Sequence, residues 1–152
     1  MIRQELNITV KGKKWHVTAF YPVTRYHVNE IMRTLKSLGC DSYSLKRAYM
    51  NLATGQVNNG LTFSNFFSRE SVVVFAMSTS PEQYFNLIVH ELHHLSVHVA
   101  VANGLDLEGE ETCYINGDIA QMMFPTIKRL TCDCHDKDID VKLKNTLHEK
   151  RC

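Results

Sequence analysis

His90-Glu91-Leu92-His93-His94 has the form H-E-x-x-H and stands inside a segment, residues 80–99, where a helix is independently predicted. No other stretch constrains the fold as strongly. On a helix, residues four apart lie on one face, one turn above each other. His90 and His94 can therefore turn two imidazoles toward one ion. Glu91 stands beside them, close enough to reach a water on that ion. Two neutral nitrogen ligands, an open coordination position and a carboxylate base are what a zinc hydrolase needs.

The helix is predicted without the motif. Ser80 is a good N-cap, Pro81 suits the first helical position, and Gln83 can complete a capping box with Ser80. Tyr84, Ile88, Leu92, Leu95 and Val99 recur at helical spacing, and Phe85, Val89 and Ala100 widen the stripe. Asn103-Gly104 reads as the C-terminal cap of a helix over residues 81–103. It is mostly apolar outside the motif, so it is predicted to run through the core. Polar groups there must be paired or metal-bound, because burying them bare is costly.

A chain of 152 residues suits a single domain, 1–152, with a real core. A formal net charge of +1 gives no reason to expect nucleic acid or an anionic membrane as partner. No apolar run is long enough to cross a bilayer, and the first residues do not read as a signal peptide. Five cysteines at irregular spacing look like free thiols of a reducing compartment. The expected location is the cytoplasm.

Along the chain, residues 6–22 read as a hairpin. Leu6, Ile8 and Val10 alternate on one side of the Lys11–Lys14 turn; Trp15, Val17, Ala19 and Tyr21 alternate on the other. Thr24–Leu38 has helical spacing and stops at Gly39. A second short helix is predicted around Tyr43–Leu52, followed by a turn over residues 56–60. Leu61–Phe67 and Ser71–Met77 read as strands, the second strongly β-forming and directly before the motif helix. An exposed edge there would let an extended substrate pair beside the metal, although Val72–Phe75 also reads as core strand. A further helix is predicted over Glu110–Met123, ended by Pro125. The tail, Lys128–Cys152, is charged and thinly apolar, and its Ile139, Val141, Leu143 and Leu147 read as a strand or a weak helix.

A catalytic zinc needs a third protein ligand. His98 is four residues past His94, about 6 Å further along the axis, which argues against it. A histidine six residues after His94, as in metzincins, is absent, since position 100 is alanine. A carboxylate on the following helix is the better candidate, and Glu110 and Glu111 are both available. They point about 100° apart, so only one can face the metal. Cys132-Asp133-Cys134-His135 reads as free thiols in a loop, with adventitious metal binding as its alternative.

His90-Glu91-x-x-His94 followed by Gly109-Glu110-x-x-x-Tyr114-Ile115-x-Gly117 resembles small gluzincin-like metallopeptidases of phages and prophages. The resemblance covers about residues 72–124, and Asp118 departs from it where the pattern has an aromatic. It implies Glu110 as third ligand and Zn2+ as cofactor. It also implies a minimal zincin-like α+β fold, a small mainly antiparallel sheet packed on helices around the H-E-x-x-H helix. The expected function is hydrolysis of a protein or peptide substrate by a metal-activated water, with Glu91 as general base and Tyr114 as a donor to the oxyanion. Asp118 or Glu111 would orient a ligating histidine. The alternative is a non-catalytic zincin-like module whose metal is structural and whose surface binds a partner protein.

Overall fold

Lys11 and Gly12 both have left-handed backbone angles, φ 49° and 73°. This two-residue turn matches the twist of paired strands. In the computed structural model, which describes residues 1–131, it joins β1 (Ile2–Val10) to β2 (Lys13–Val23) in an antiparallel pair that brings Val10 opposite Lys13. A single 3-10 turn, Arg25–His27, leads into α1 (Val28–Ser37), and Gly39 at φ 79° closes that helix. Asp41 caps α2 (Ser42–Ala53), its carboxylate accepting the N–H groups of Tyr43 and Ser44 at 2.9 and 3.0 Å. Two strands follow, β3 (Gly60–Asn65) and β4 (Glu70–Ala76), then α3 (Pro81–Ala102) and α4 (Glu110–Thr131).

The protein is α+β, with a four-stranded sheet in the order β1-β2-β4-β3. The sheet is mixed: β1–β2 and β3–β4 are antiparallel, and the central pair β2–β4 is parallel. Both faces are covered. Trp15, Val17, Ala19, Tyr21, Val73 and Phe75 pack against Leu92, Leu95 and Val99 of α3 and Ile119, Met123 and Ile127 of α4. Phe20, Val72 and Val74 pack the other way, against Ile31 and Leu35 of α1 and Ala48 of α2. Burial on both sides explains why β4 is a continuous apolar run and not an alternating one.

That order corrects one expectation. The strand before the motif helix, β4, is interior, flanked by β2 and β3. The free edge beside α3 belongs to β3.

Ser80 caps α3, its hydroxyl accepting the Gln83 N–H at 3.3 Å. No bond from the Gln83 side chain to Ser80 completes a capping box among the described residues. Gly104, at φ 61°, turns the chain after the helix. Leu130, near the end of α4, lines a pocket with Ser80, Pro81 and Tyr84 at the start of α3. The two helices therefore run antiparallel.

Pro125 does not end α4, contrary to expectation; the helix continues to Thr131. An interior proline costs about 3 kcal/mol. Ile115, Ile119, Met123 and Ile127 are all buried at helical spacing. Burying one such side chain contributes about 1.5–3 kcal/mol, so the apolar stripe carries the helix through. Lys128 accordingly belongs to α4. The expectations for Cys132, Cys134, His135 and the strand or weak helix beyond fall outside the described residues.

Candidate metal centre

α3 places His90, Glu91 and His94 in a short arc, with Glu91 turned into the protein and both histidines exposed. The Nε2 atoms of His90 and His94 are 3.2 Å apart, with the rings edge-on at 81°. Two nitrogens on one tetrahedral zinc, each at 2.0–2.1 Å, stand about 3.3 Å apart. The pair thus has the spacing that a shared ion requires, and on this count the histidines fit zinc.

Glu91 is 4 % exposed. Its Oε2 accepts a 2.7 Å hydrogen bond from Thr62 Oγ1 on β3. Its side chain lies against Gly60, where an added Cβ would stand 2.6 Å from Glu91 Cδ. The absence of a side chain at Gly60 makes room for the carboxylate. Asn58, Asn59, Gly60, Asn86, His90 and Glu91 line a polar cleft of about 250 Å³. The loop on its far side is tied down: Asn58 Oδ1 accepts the Thr79 N–H at 3.0 Å, and the Asn58 N–H donates to the Met77 carbonyl at 2.9 Å.

One turn past His94, His98 is half-buried. Its Nδ1 is 2.9 Å from Ser64 Oγ, also on β3. Burial, reinforced by His94, holds this imidazole below the usual histidine range. His93 is exposed and takes no part in the arc.

The remaining predicted residues are not gathered with the histidine pair. Glu110 and Glu111 are exposed in the first turn of α4. Tyr114, on the same face as Glu110, is exposed, as is Asp118. Among the described residues, no three of the His, Cys, Asp and Glu side chains form a group able to hold a metal. The reason is helical geometry. His94 lies eight residues before Ala102, the end of α3, about 12 Å of axis at 1.5 Å per residue. α4 runs back antiparallel from near that end, with Leu130 beside Ser80 and Tyr84, so its first turn stands level with the end of α3 and not with His94.

The H-E-x-x-H motif and its spacing do not point to Thr62, Gly60, Ser64 or Asn58. A signal for three of them exists. Gly60, Thr62 and Ser64 alternate with Leu61 and Phe63, so one face of this strand is small and polar where a half-buried strand normally carries apolar groups.

No family model, curated protein or solved structure matches the chain. Among the described residues, no helix is long and apolar enough to cross a membrane.

Proposed function

We propose that the chain is a zinc-dependent peptidase of gluzincin type on a minimal zincin-like fold. The observation that carries this reading is the joint placement of two imidazole nitrogens 3.2 Å apart and, between them in sequence, a buried carboxylate held by Thr62. Glu110, supported only by the motif resemblance, is the proposed third ligand. It has to reach the pair by a change in its exposed side chain and in the start of α4. A bound zinc lowers the pKa of a water and polarises a carbonyl.

The chain's own groups do the rest. Glu91 takes a proton from the water and passes it to the leaving amine. Thr62 keeps the carboxylate in place for both transfers. The open edge of β3 offers backbone donors and acceptors to an extended peptide, which fits a protein or peptide substrate. Tyr114 is the proposed donor to the oxyanion, from the face of α4 that carries Glu110. Free thiols at Cys40 and Cys113 suit a cytoplasmic protein. A phage or prophage origin rests on the resemblance alone.

The second reading is a module that keeps a metal and binds a partner without turnover; it needs four protein ligands where the peptidase needs three, and among the described residues none joins His90 and His94. Elemental analysis and casein hydrolysis, on wild type and Glu91→Gln, separate the two. The peptidase reading expects about one zinc per chain in both proteins and hydrolysis in the wild type only. Zinc in both without hydrolysis favours the module. A wild type that refuses zinc overturns both.

A further inference from the structure

Four side chains, one each from β2, β4, β3 and α3, form a continuous hydrogen-bonded line ending at His98. Trp15 Nε1 donates to Ser71 Oγ at 2.8 Å. Ser71 Oγ and Ser64 Oγ are 2.6 Å apart, and Ser64 Oγ is 2.9 Å from His98 Nδ1. Trp15 is fully buried, Ser71 is 1 % exposed and Ser64 9 %, so the indole and the two hydroxyl hydrogens need partners within the line.

The line can be polarised in only one way that uses them all. An indole N–H is a donor and never an acceptor. The Ser71 hydroxyl hydrogen therefore cannot return toward Trp15, and Ser64 is its one remaining partner. Ser64 accepts that bond and gives its own hydrogen to His98 Nδ1, which must be a bare lone pair. If Nδ1 carried the proton, it would donate to Ser64. Either the Ser64 or the Ser71 hydroxyl hydrogen would then be left without an acceptor.

We infer that Trp15, Ser71 and Ser64 hold His98 as the neutral tautomer protonated on Nε2, and that this N–H is a hydrogen-bond donor to a peptide carbonyl at the β3 edge. His98 Nε2 has no protein partner among the described hydrogen bonds and is not among the buried unpartnered atoms, so solvent reaches it. Ser64 lies on the edge strand itself. A peptide paired with that strand runs past His98, one helical turn from His94. The tautomer also argues against His98 as a ligand. A histidine that binds metal through Nε2 carries its proton on Nδ1 and needs an acceptor there, whereas Ser64 presents a donor. Trp15, Ser71 and Ser64 are positioning residues, and His98 is the group that meets substrate. The tautomer stands independently of the proposed function; the role as donor rests on the peptidase reading.

The test begins with the imidazole nitrogen spectrum of the uniformly 15N-labelled wild-type protein in chelator. The expected pattern for His98 is a pyridine-type Nδ1 and a pyrrole-type Nε2. The reverse pattern, or a mixture like that of free histidine, overturns the inference and leaves the peptidase reading untouched. Ser64→Asp supplies an acceptor and should move the proton to Nδ1; an unmoved proton also counts against the relay. The second arm compares zinc content and casein hydrolysis in wild type, His98→Leu and His98→Gln. Zinc content should be the same in all three. Turnover should fall by about tenfold in His98→Leu, the scale of losing one hydrogen bond to the substrate, and recover partly in His98→Gln, which retains an N–H. Loss of zinc in His98→Leu, or unchanged turnover, overturns the donor role. A wild type with the expected spectrum that binds zinc but hydrolyses nothing overturns the peptidase reading and removes the substrate from the donor.

Discussion

Thr62 Oγ1 donates to Glu91 Oε2 at 2.7 Å, joining the edge strand to the central helix through the proposed general base. Glu91 is almost fully enclosed, so this bond compensates part of the cost of burying a carboxylate. Thr62→Val keeps the shape and removes the donor. Leaving the carboxylate without that partner should cost about 1–3 kcal/mol. Thermal unfolding of the variant should show a melting temperature lower by several degrees, and hydrolysis should fall while zinc binding persists. A melting temperature equal to that of the wild type would mean that Glu91 is not held by this bond.

Gly60→Ala tests the same carboxylate from the other side. The φ of Gly60 is not in the left-handed region, so the backbone alone does not demand glycine. The added methyl would stand 2.6 Å from Glu91 Cδ, and the carboxylate must move off the Thr62 hydroxyl. Displacements of this size at a catalytic group cost up to about a hundredfold in rate. The turnover number should therefore drop at least about tenfold with zinc content unchanged. Full activity would show that Glu91 tolerates displacement or does not act as the base.

These two partners show where sequence legibility ended. His90, Glu91 and His94 are neighbours through a local helical period, which is readable from order alone. The caps at Ser80 and Gly104, the β1–β2 hairpin and the stripes of α1 and α3 are local in the same sense. Thr62 and Gly60 approach Glu91 only because β3 is the edge of the sheet, and strand order is not a local property. Period-2 alternation tells which face of a strand is buried, not which strand lies next to it. The parallel β2–β4 pairing was hidden for that reason, and β3 as the free edge with it. Pro125 misled in the opposite way. Its local cost is real, but the apolar stripe that continues past it, with Ile127 buried and Leu130 packed on the core, offsets that cost.

Pro125→Ala should consequently stabilise the protein. Pro125 is exposed and lacks the N–H that would bond the carbonyl of Gln121. Restoring that bond and removing the ring clash offsets a cost of about 3 kcal/mol, less the stiffening that proline gives the unfolded chain. A net gain of about 1–2 kcal/mol is expected in urea unfolding, with helical signal preserved. A loss of stability would mean that the packing of α4 has adapted to the proline.

His98 makes stability depend on pH in a defined window. Its folded-state pKa is lowered by burial and by His94. As pH falls through about 6.5, the unfolded chain takes up a proton that the folded chain refuses. Stability present above that window is lost as pH falls toward the folded value. Urea midpoints measured with a chelator at about pH 7.5 and about pH 5.5 should differ, the acid value being lower. His98→Gln should narrow the difference. Glu5 acts separately: although its partial burial raises its pKa, hydrogen bonds from Thr18 and Arg3 and the charges of Arg3 and His16 hold the carboxyl below its usual range. Its contribution is lost only under more acid conditions. An equal difference in the His98 variant would assign the linkage elsewhere.

Glu110 and Glu111 give the sharpest discrimination on the third ligand. Both are exposed at the start of α4, and their side chains diverge by about 100°. At most one can close on the histidine pair. Its approach must draw the first turn of α4 toward His94, so zinc binding should protect the backbone of residues 104–112 from hydrogen exchange. Zinc should be lost in Glu110→Ala and retained in Glu111→Ala, and the protection should disappear with it. Loss only in Glu111→Ala would keep the geometry and change the ligand. Zinc retained in both variants would leave His90 and His94 with a third ligand outside this helix, and the pattern that resembles a gluzincin would then mark only the two histidines and Glu91.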